Sequence, residues 1–412
     1  LNIHSILSNV MVKEYVPSDE ILKKYADVMV NFALNKGKGV KKGEVVLLIV
    51  PEIAKPFLKH LYVTVLKAGA HPIVQFVPDD METEMYELGS DEQISFFPSK
   101  YMKGRIDEIN HQIYIIAEKN PKALEKIDPK KIMMKQNSML PYKEWRDEKE
   151  NRGEFSWTLC LYGTSAVANE AGLSQKQYWK EIIKACYLEE ENPVKKWQEI
   201  QAEITRVLEV LNNLKIEKVH LEAENTDLWI KIGEDRQWLG GSGHNIPSFE
   251  IFTSPDFRDI NGHIEFTQPL YRYGNLVKGI KFEFKDGIIT NFSATENEPL
   301  LKELLAVENA NKIGEFSMTD GRMSKITKFM AETLYDENVG GKFGNTHLAI
   351  GSSFDDAYNG DLKGKTKEDM INMGFNKSAI HADIISTSDR VVTAYFKDGS
   401  SKVIFKKGKF NV

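Results

Sequence analysis

Val45-Val-Leu-Leu-Ile-Val50 is an apolar run with no polar break. A strand covered on both faces needs such a run, and parallel strands flanked by helices are covered in that way. The neighbouring residues agree. Upstream, Ser18 or Asp19 can cap a helix, and Ile21, Tyr25, Val28 and Phe32 then follow on one helical stripe. Downstream, Pro56 to Leu66 reads as a helix ended by Gly69, and Pro72 to Val77 as a second strand. Gln112 to Ala117 and Trp157 to Tyr162 are further short strands, and Ser174 opens another helix. Strand and helix alternate, which predicts an α/β region with a mainly parallel sheet. The rhythm resembles that of nucleotide-binding folds, but Pro51-Glu-Ile-Ala54 after the first strand has no glycine to admit a phosphate, so a nucleotide role is disfavoured.

Trp197, Ile200, Ile204, Val207, Leu211 and Leu214 then step by three and four. This long helix reads either as a connector or as one more helix facing the core. Past Lys218 the texture changes. Val219 to Leu221, Leu228 to Ile232, Gly279 to Phe284 and Val391 to Phe396 are strands, and Asp286-Gly287 and Asp398-Gly399 are turns that close hairpins. One helix is expected near 297–310. The fold class expected is α/β overall. An N-terminal α/β domain (1–190) is joined by a connecting helix (191–216) to a strand-rich α+β domain (217–412).

Composition narrows the function. The chain has 412 residues, 42% hydrophobic and 28% charged, as in an ordinary globular protein large enough for two domains. A net charge of −6 argues against nucleic acid or an anionic membrane as partner. Cys160 and Cys186 are too few for a disulfide framework or a thiolate zinc site, and a reducing cytoplasm fits. No run reaches the ~18 apolar residues of a membrane span. Leu-Asn-Ile-His-Ser at the start lacks the pattern of a signal peptide.

The residues that can carry chemistry lie between Glu250 and Asp383. In Ser378-Ala-Ile-His-Ala-Asp-Ile-Ile385, strand alternation turns Ile380, Ala382 and Ile384 one way and His381 and Asp383 the other, with the last two about 6–7 Å apart along the strand. His347 lies in the apolar segment Thr346-His-Leu-Ala-Ile350, either as a hydrogen-bonded core histidine or as a ligand. Glu250 and Glu315 sit in apolar surroundings where a carboxylate is costly to bury unless something compensates it; each is otherwise a solvent-facing edge residue. Imidazole and carboxylate together suit Zn, Co or Mn, and Mg within limits. His244, near Glu250, and His263 either line the cleft or stand in loops, Arg272 and Lys281 are candidates to meet a peptide carboxylate, and Asp227 holds a turn rather than a metal.

These segments, in order, resemble the M29 family of metal-dependent aminopeptidases, the aminopeptidase T and aminopeptidase S group. The resemblance runs through Asn225-Thr-Asp-Leu228, Asn245-Ile-Pro-Ser-Phe-Glu250 and on to Pro255, Ile313-Gly-Glu315, Asp336-Glu-Asn-Val-Gly-Gly341, Thr346-His-Leu-Ala-Ile-Gly351 and Ser378-Ala-Ile-His-Ala-Asp383, and covers nearly everything past residue 18. It implies a site for two divalent ions with Glu250, Glu315, His347, His381 and Asp383 as ligands, a bridging water, and one ion taking the substrate's free α-amine. Glu315 is the expected proton shuttle. The family's tyrosine seven residues past the first ligand histidine is Phe354 here, and Tyr358 is the candidate to supply a hydroxyl instead. The resemblance also implies short peptides with a free N-terminus as substrates, and a homodimer whose first domain covers the cavity. The alternatives are another two-metal amidohydrolase, or a catalytically weak protein that binds peptide or metal.

Overall fold

The computed structural model describes residues 14–412 except 234 and 273. The first thirteen residues of the expected N-terminal domain therefore lie outside the described residues.

In the N-terminal half, Ser18 caps the helix Asp19–Val28, its side chain accepting from the Ile21 N–H. The strands β1 (Val45–Pro51), β2 (His71–Val77), β3 (His111–Ile116) and β4 (Ser156–Leu161) are all parallel, in the order β2-β1-β3-β4. β1 lies inside the sheet between β2 and β3, and Val46, Leu48 and Val50 are fully buried, as its unbroken apolar run requires. Helix Lys55–Lys67 returns the chain from β1 to β2, the crossover that parallel neighbours need.

Helix Pro193–Asn213 leads into the second half. Its expected stripe is buried from Trp197 to Leu211, with Leu214 half-buried at the C-cap, and it serves both halves: Trp197 stacks on Phe32 at 5.7 Å and on Phe249, beside Glu250, at 5.2 Å. The strands that follow are short. They are β5 (Lys218–Ala223), β6 (Thr226–Lys231), β7 (Leu239–Gly240), β8 (Asn245–Ile246), β9 (Glu250–Thr253), β10 (Ile260–Glu265), β11 (Leu270–Arg272) and β12 (Asn275–Val277). Then come β13 (Lys281–Lys285), β14 (Ile288–Ser293), β15 (Ile313–Thr319), β16 (Asn345–Gly351), β17 (His381–Ser386), β18 (Arg390–Tyr395), β19 (Ser401–Lys406) and β20 (Lys409–Phe410).

They form an eight-stranded antiparallel sheet, β14-β13-β10-β6-β5-β18-β19-β20, a ribbon of β11 and β12, and a five-stranded antiparallel sheet, β17-β16-β15-β9-β7. Both Asp-Gly turns close hairpins, with Asp286 and Gly287 at φ 51° and 79° as a tight turn requires. Helix Glu298–Ala306 stands near the expected position. β8 pairs with β4 and so adds to the N-terminal sheet, so that residues 245–246 belong to the first layer. Among the described residues no helix is long and apolar enough to cross a membrane.

Candidate metal centre

The five-stranded sheet builds the site through register. Glu315 pairs with Ala349, and Ala349 with Asp383. Ser317 pairs with His347, Gly351 with His381, and Thr319 with both Asn345 and Glu250. Side chains alternate along each strand, so these rows place Glu250, Glu315, His347, His381 and Asp383 on one face. The other face carries Ile251, Phe316, Met318, Leu348, Ile350, Ala382 and Ile384, all buried in the core. The alternation expected at 380–384 is the one observed. A register shift between Ile313 and Glu315 sets Glu315 in phase with this face.

The side chains converge. His347 Nε2 lies 3.5 Å from Glu250 Oε2, 3.3 Å from Glu315 Oε1 and 3.9 Å from Asp383 Oδ1. His381 Nε2 lies 3.2 Å from Glu315 Oε2 and 3.3 Å from Asp383 Oδ1. Two sets of three donors result, Glu250–Glu315–His347 and Glu315–His381–Asp383, each with its ligand atoms within 4.8 Å of one another. Glu315 belongs to both and offers one oxygen to each imidazole.

Second contacts hold these groups in place. The Phe249 N–H donates to Asn338 Oδ1 at 2.7 Å, which pins the backbone beside Glu250. His381 Nδ1 lies 2.8 Å from the Ser352 carbonyl oxygen, so Nδ1 is the ring nitrogen that carries the hydrogen and Nε2 faces the carboxylates.

One residue here is absent from the sequence-derived ligand set. Glu337 follows the short helix Thr333–Asp336 and is buried. Asn338 Nδ2 donates to its Oε1 at 3.2 Å, and Asn345 Nδ2 to its carbonyl oxygen at 2.9 Å. Glu337 lies within the quoted Asp336-Glu-Asn segment, but it reaches the site from a loop, where no periodicity announces a direction.

Acidic groups outnumber basic ones in this pocket. Four carboxylates face two imidazoles away from water. Burial and the charges of Glu315 and Asp383 push Glu250 up to about 8. Burial and the charges of Glu250, Asp383 and Glu315 push Glu337 well above the usual carboxylate range. Burial opposes ionisation of Glu315 and Asp383 as well, but hydrogen bonds from both imidazoles hold Glu315 below its ordinary value, and His381 holds Asp383 down to about 2. Burial would lower His347, yet Glu315, Asp383 and Glu250 raise it to about 9. The set is all nitrogen and oxygen, is buried and gathers four carboxyls against two imidazoles. It fits hard or borderline divalent cations.

Other sequence candidates stand elsewhere. The Tyr358 ring packs 6.4 Å from Phe375 in a satellite cluster with Leu239, Met370 and Met373. Its neighbour in sequence, Phe354, does border the site, its ring 4.9 Å from His381 and 5.4 Å from Phe252. His244 stacks on Trp157 at 4.3 Å and meets Glu150 Oε1 at 2.7 Å. Asp227 bonds His220 at 2.8 Å, and Lys281 pairs with Glu265 at 3.3 Å. His263 stands in β10, opposite Asp227. Arg272 is near enough to Asp383 for its charge to lower that carboxyl.

A buried sheet face with this donor set suits a metal-dependent hydrolase, and the comparisons agree. The family model described as thermophilic metalloprotease (M29) matches residues 18–410, and the chain belongs to that family of metallopeptidases. It is 28% identical to aminopeptidase AmpS of Bacillus subtilis, covering 94% of this chain and 98% of that one. It is 24% identical to aminopeptidase T of Thermus thermophilus, covering 95% of this chain and 100% of that one. The solved structure of wild-type AmpT from Thermus thermophilus matches with a TM-score of 0.80 at 23% identity, over 95% of this chain and 99% of that one, so the fold is shared.

Proposed function

We propose that this chain is an aminopeptidase that releases N-terminal residues from short peptides at a centre for two divalent ions. The observation that carries the reading is that the two donor sets share Glu315. Glu250 and His347 would hold one ion, His381 and Asp383 the other, and Glu315 both; zinc, cobalt, manganese and magnesium all accept such ligands within limits. When bound, such ions lower the pKa of a water and polarise the scissile carbonyl.

The chain's own residues supply the rest. Glu315 is engaged by both imidazoles and is poorly placed to shuttle a proton, so that role passes to Glu337. Its Oε1 is held by Asn338, which leaves Oε2 to carry a proton toward the leaving amine.

The reading includes a homodimer in the cytoplasm and the division at 190 and 217. The dimer is supported by the edge strand β2, whose Ile73, Val74, Phe76 and Val77 are exposed beside Tyr62, Val63 and Leu66. A reducing compartment is supported by Cys160 and Cys186, both free and buried. The experiment is a comparison of free and N-acetylated forms of one short peptide. Cleavage of the free form alone supports the reading, and equal cleavage of both would replace it with a general amidohydrolase. Glu250→Ala and His381→Ala should each abolish metal binding and turnover.

A further inference from the structure

The two imidazoles of the site are secured differently. His381 hands its Nδ1 hydrogen to the Ser352 carbonyl oxygen. His347, 1% exposed, finds no partner within the protein for Nδ1. Three other buried polar atoms on the same face share that condition: Ser317 Oγ, Thr319 Oγ1 and Asn345 Oδ1. All three residues are 0% exposed. They are adjacent through the register, Ser317 pairing with His347 and Thr319 with Asn345 in the next row of the same face. Directly opposed side chains have Cβ atoms about 4.5–5.5 Å apart, and diagonal neighbours about 7–8 Å. The register therefore groups the four atoms beside His347 on one face of the sheet.

Their chemistry is complementary to one molecule. With Nε2 facing the carboxylates, Nδ1 carries a hydrogen and donates. Asn345 Oδ1 accepts, because Asn345 Nδ2 is spent on the carbonyls of Glu337 and Val339. The two hydroxyls can each do either. A water accepts two hydrogen bonds and donates two, and buried waters settle where two to four otherwise unpaired polar groups meet. Leaving four such groups unpaired would cost about 1–3 kcal/mol each.

We propose that Ser317, Thr319 and Asn345 are positioning residues for His347, holding a buried water that takes its Nδ1 hydrogen and so fixes the ring with Nε2 toward Glu250 and Glu315. The water accepts from His347 and one hydroxyl, and donates to Asn345 Oδ1 and the other hydroxyl. Residues in this position behind a metal ligand tune affinity by about 10–100-fold. The inference rests on the metal-centre reading above.

The test uses the full chain and zinc alone, in competition with a chromophoric chelator, together with 15N spectra of the histidine rings in metal-free protein above the value of about 9 to which His347 is raised, where its ring is neutral. Ser317→Ala should weaken zinc binding by about 10–100-fold and release His347 from a single Nδ1–H tautomer. Thr319→Val, which keeps the shape and removes the hydroxyl, should act in the same direction, and Thr319→Ser should restore wild-type affinity. If Ser317→Ala fails to fold, the Thr319 pair decides. Variants that bind zinc as tightly as wild type with an unchanged tautomer would overturn the proposal, as would a change in melting temperature with no change in affinity. Wild-type protein that binds no zinc would instead defeat the metal-centre reading.

Discussion

Strands β1 and β15 are both buried along nearly their whole length, but they solve burial in opposite ways. In β1 both faces are apolar, from Val45 to Val50, so helices can cover either side with nothing to satisfy but the backbone. In β15, Phe316 and Met318 fill the core, while Glu315, Ser317 and Thr319 turn a polar row to the other face. The first strand gains its stability from packing alone. The second places an ionisable group where water cannot reach it, and only an opposite charge makes that placement tolerable. One sheet is packed on both faces; the other gathers the ionisable groups that the proposed chemistry uses.

The largest expected effect breaks the second sheet's arrangement. Glu315→Ala removes the carboxylate common to both donor sets, so both ions should lose a ligand at once. Activity should fall well beyond the roughly 10–100-fold typical of residues behind a ligand, and bound metal per chain, counted by elemental analysis, should drop. The matching change in the first sheet is Leu48→Ala. It should cost about 2–5 kcal/mol in denaturant unfolding, with metal affinity untouched. Loss of affinity in Leu48→Ala would mean that the two sheets are not separable in this way.

A third prediction follows from the pocket's protonation. His347 is raised to about 9 and Glu250 to about 8, so at pH 7 both hold protons when no ion is bound. A metal must displace them, and affinity should therefore rise with pH up to about 9 and fall as pH drops. Calorimetry in buffers of different ionisation enthalpy should show net proton release on binding at pH 7; no release would contradict the charge picture. The smallest effect concerns Tyr358→Phe. Since the Tyr358 ring belongs to the cluster around Phe375, kcat/KM should stay within about twofold of wild type, a shift below ~0.5 kcal/mol. A large loss would return that hydroxyl to the site.

The comparison also shows which features a sequence displays. The β1 run and the stripe from Trp197 to Leu211 are readable because burial on a fixed period leaves a pattern in composition. The 380–384 alternation is readable for the same reason. Glu337 is not, because it arrives from a loop steered by Asn338 and Asn345, and the hydrogen bonds that place it join residues with no common period. Nor is the sharing of Glu315, which depends on a register shift at Ile313. Nor does nearness in sequence to Phe354 tell which way the Tyr358 ring turns after a short 3₁₀ segment.

The most direct measurement is hydrolysis of a leucyl chromogenic amide by the purified chain, before chelation, after it, and after return of zinc or cobalt. The account predicts turnover that disappears with the chelator and recovers with the ion. Turnover that persists undiminished in metal-free protein would contradict it.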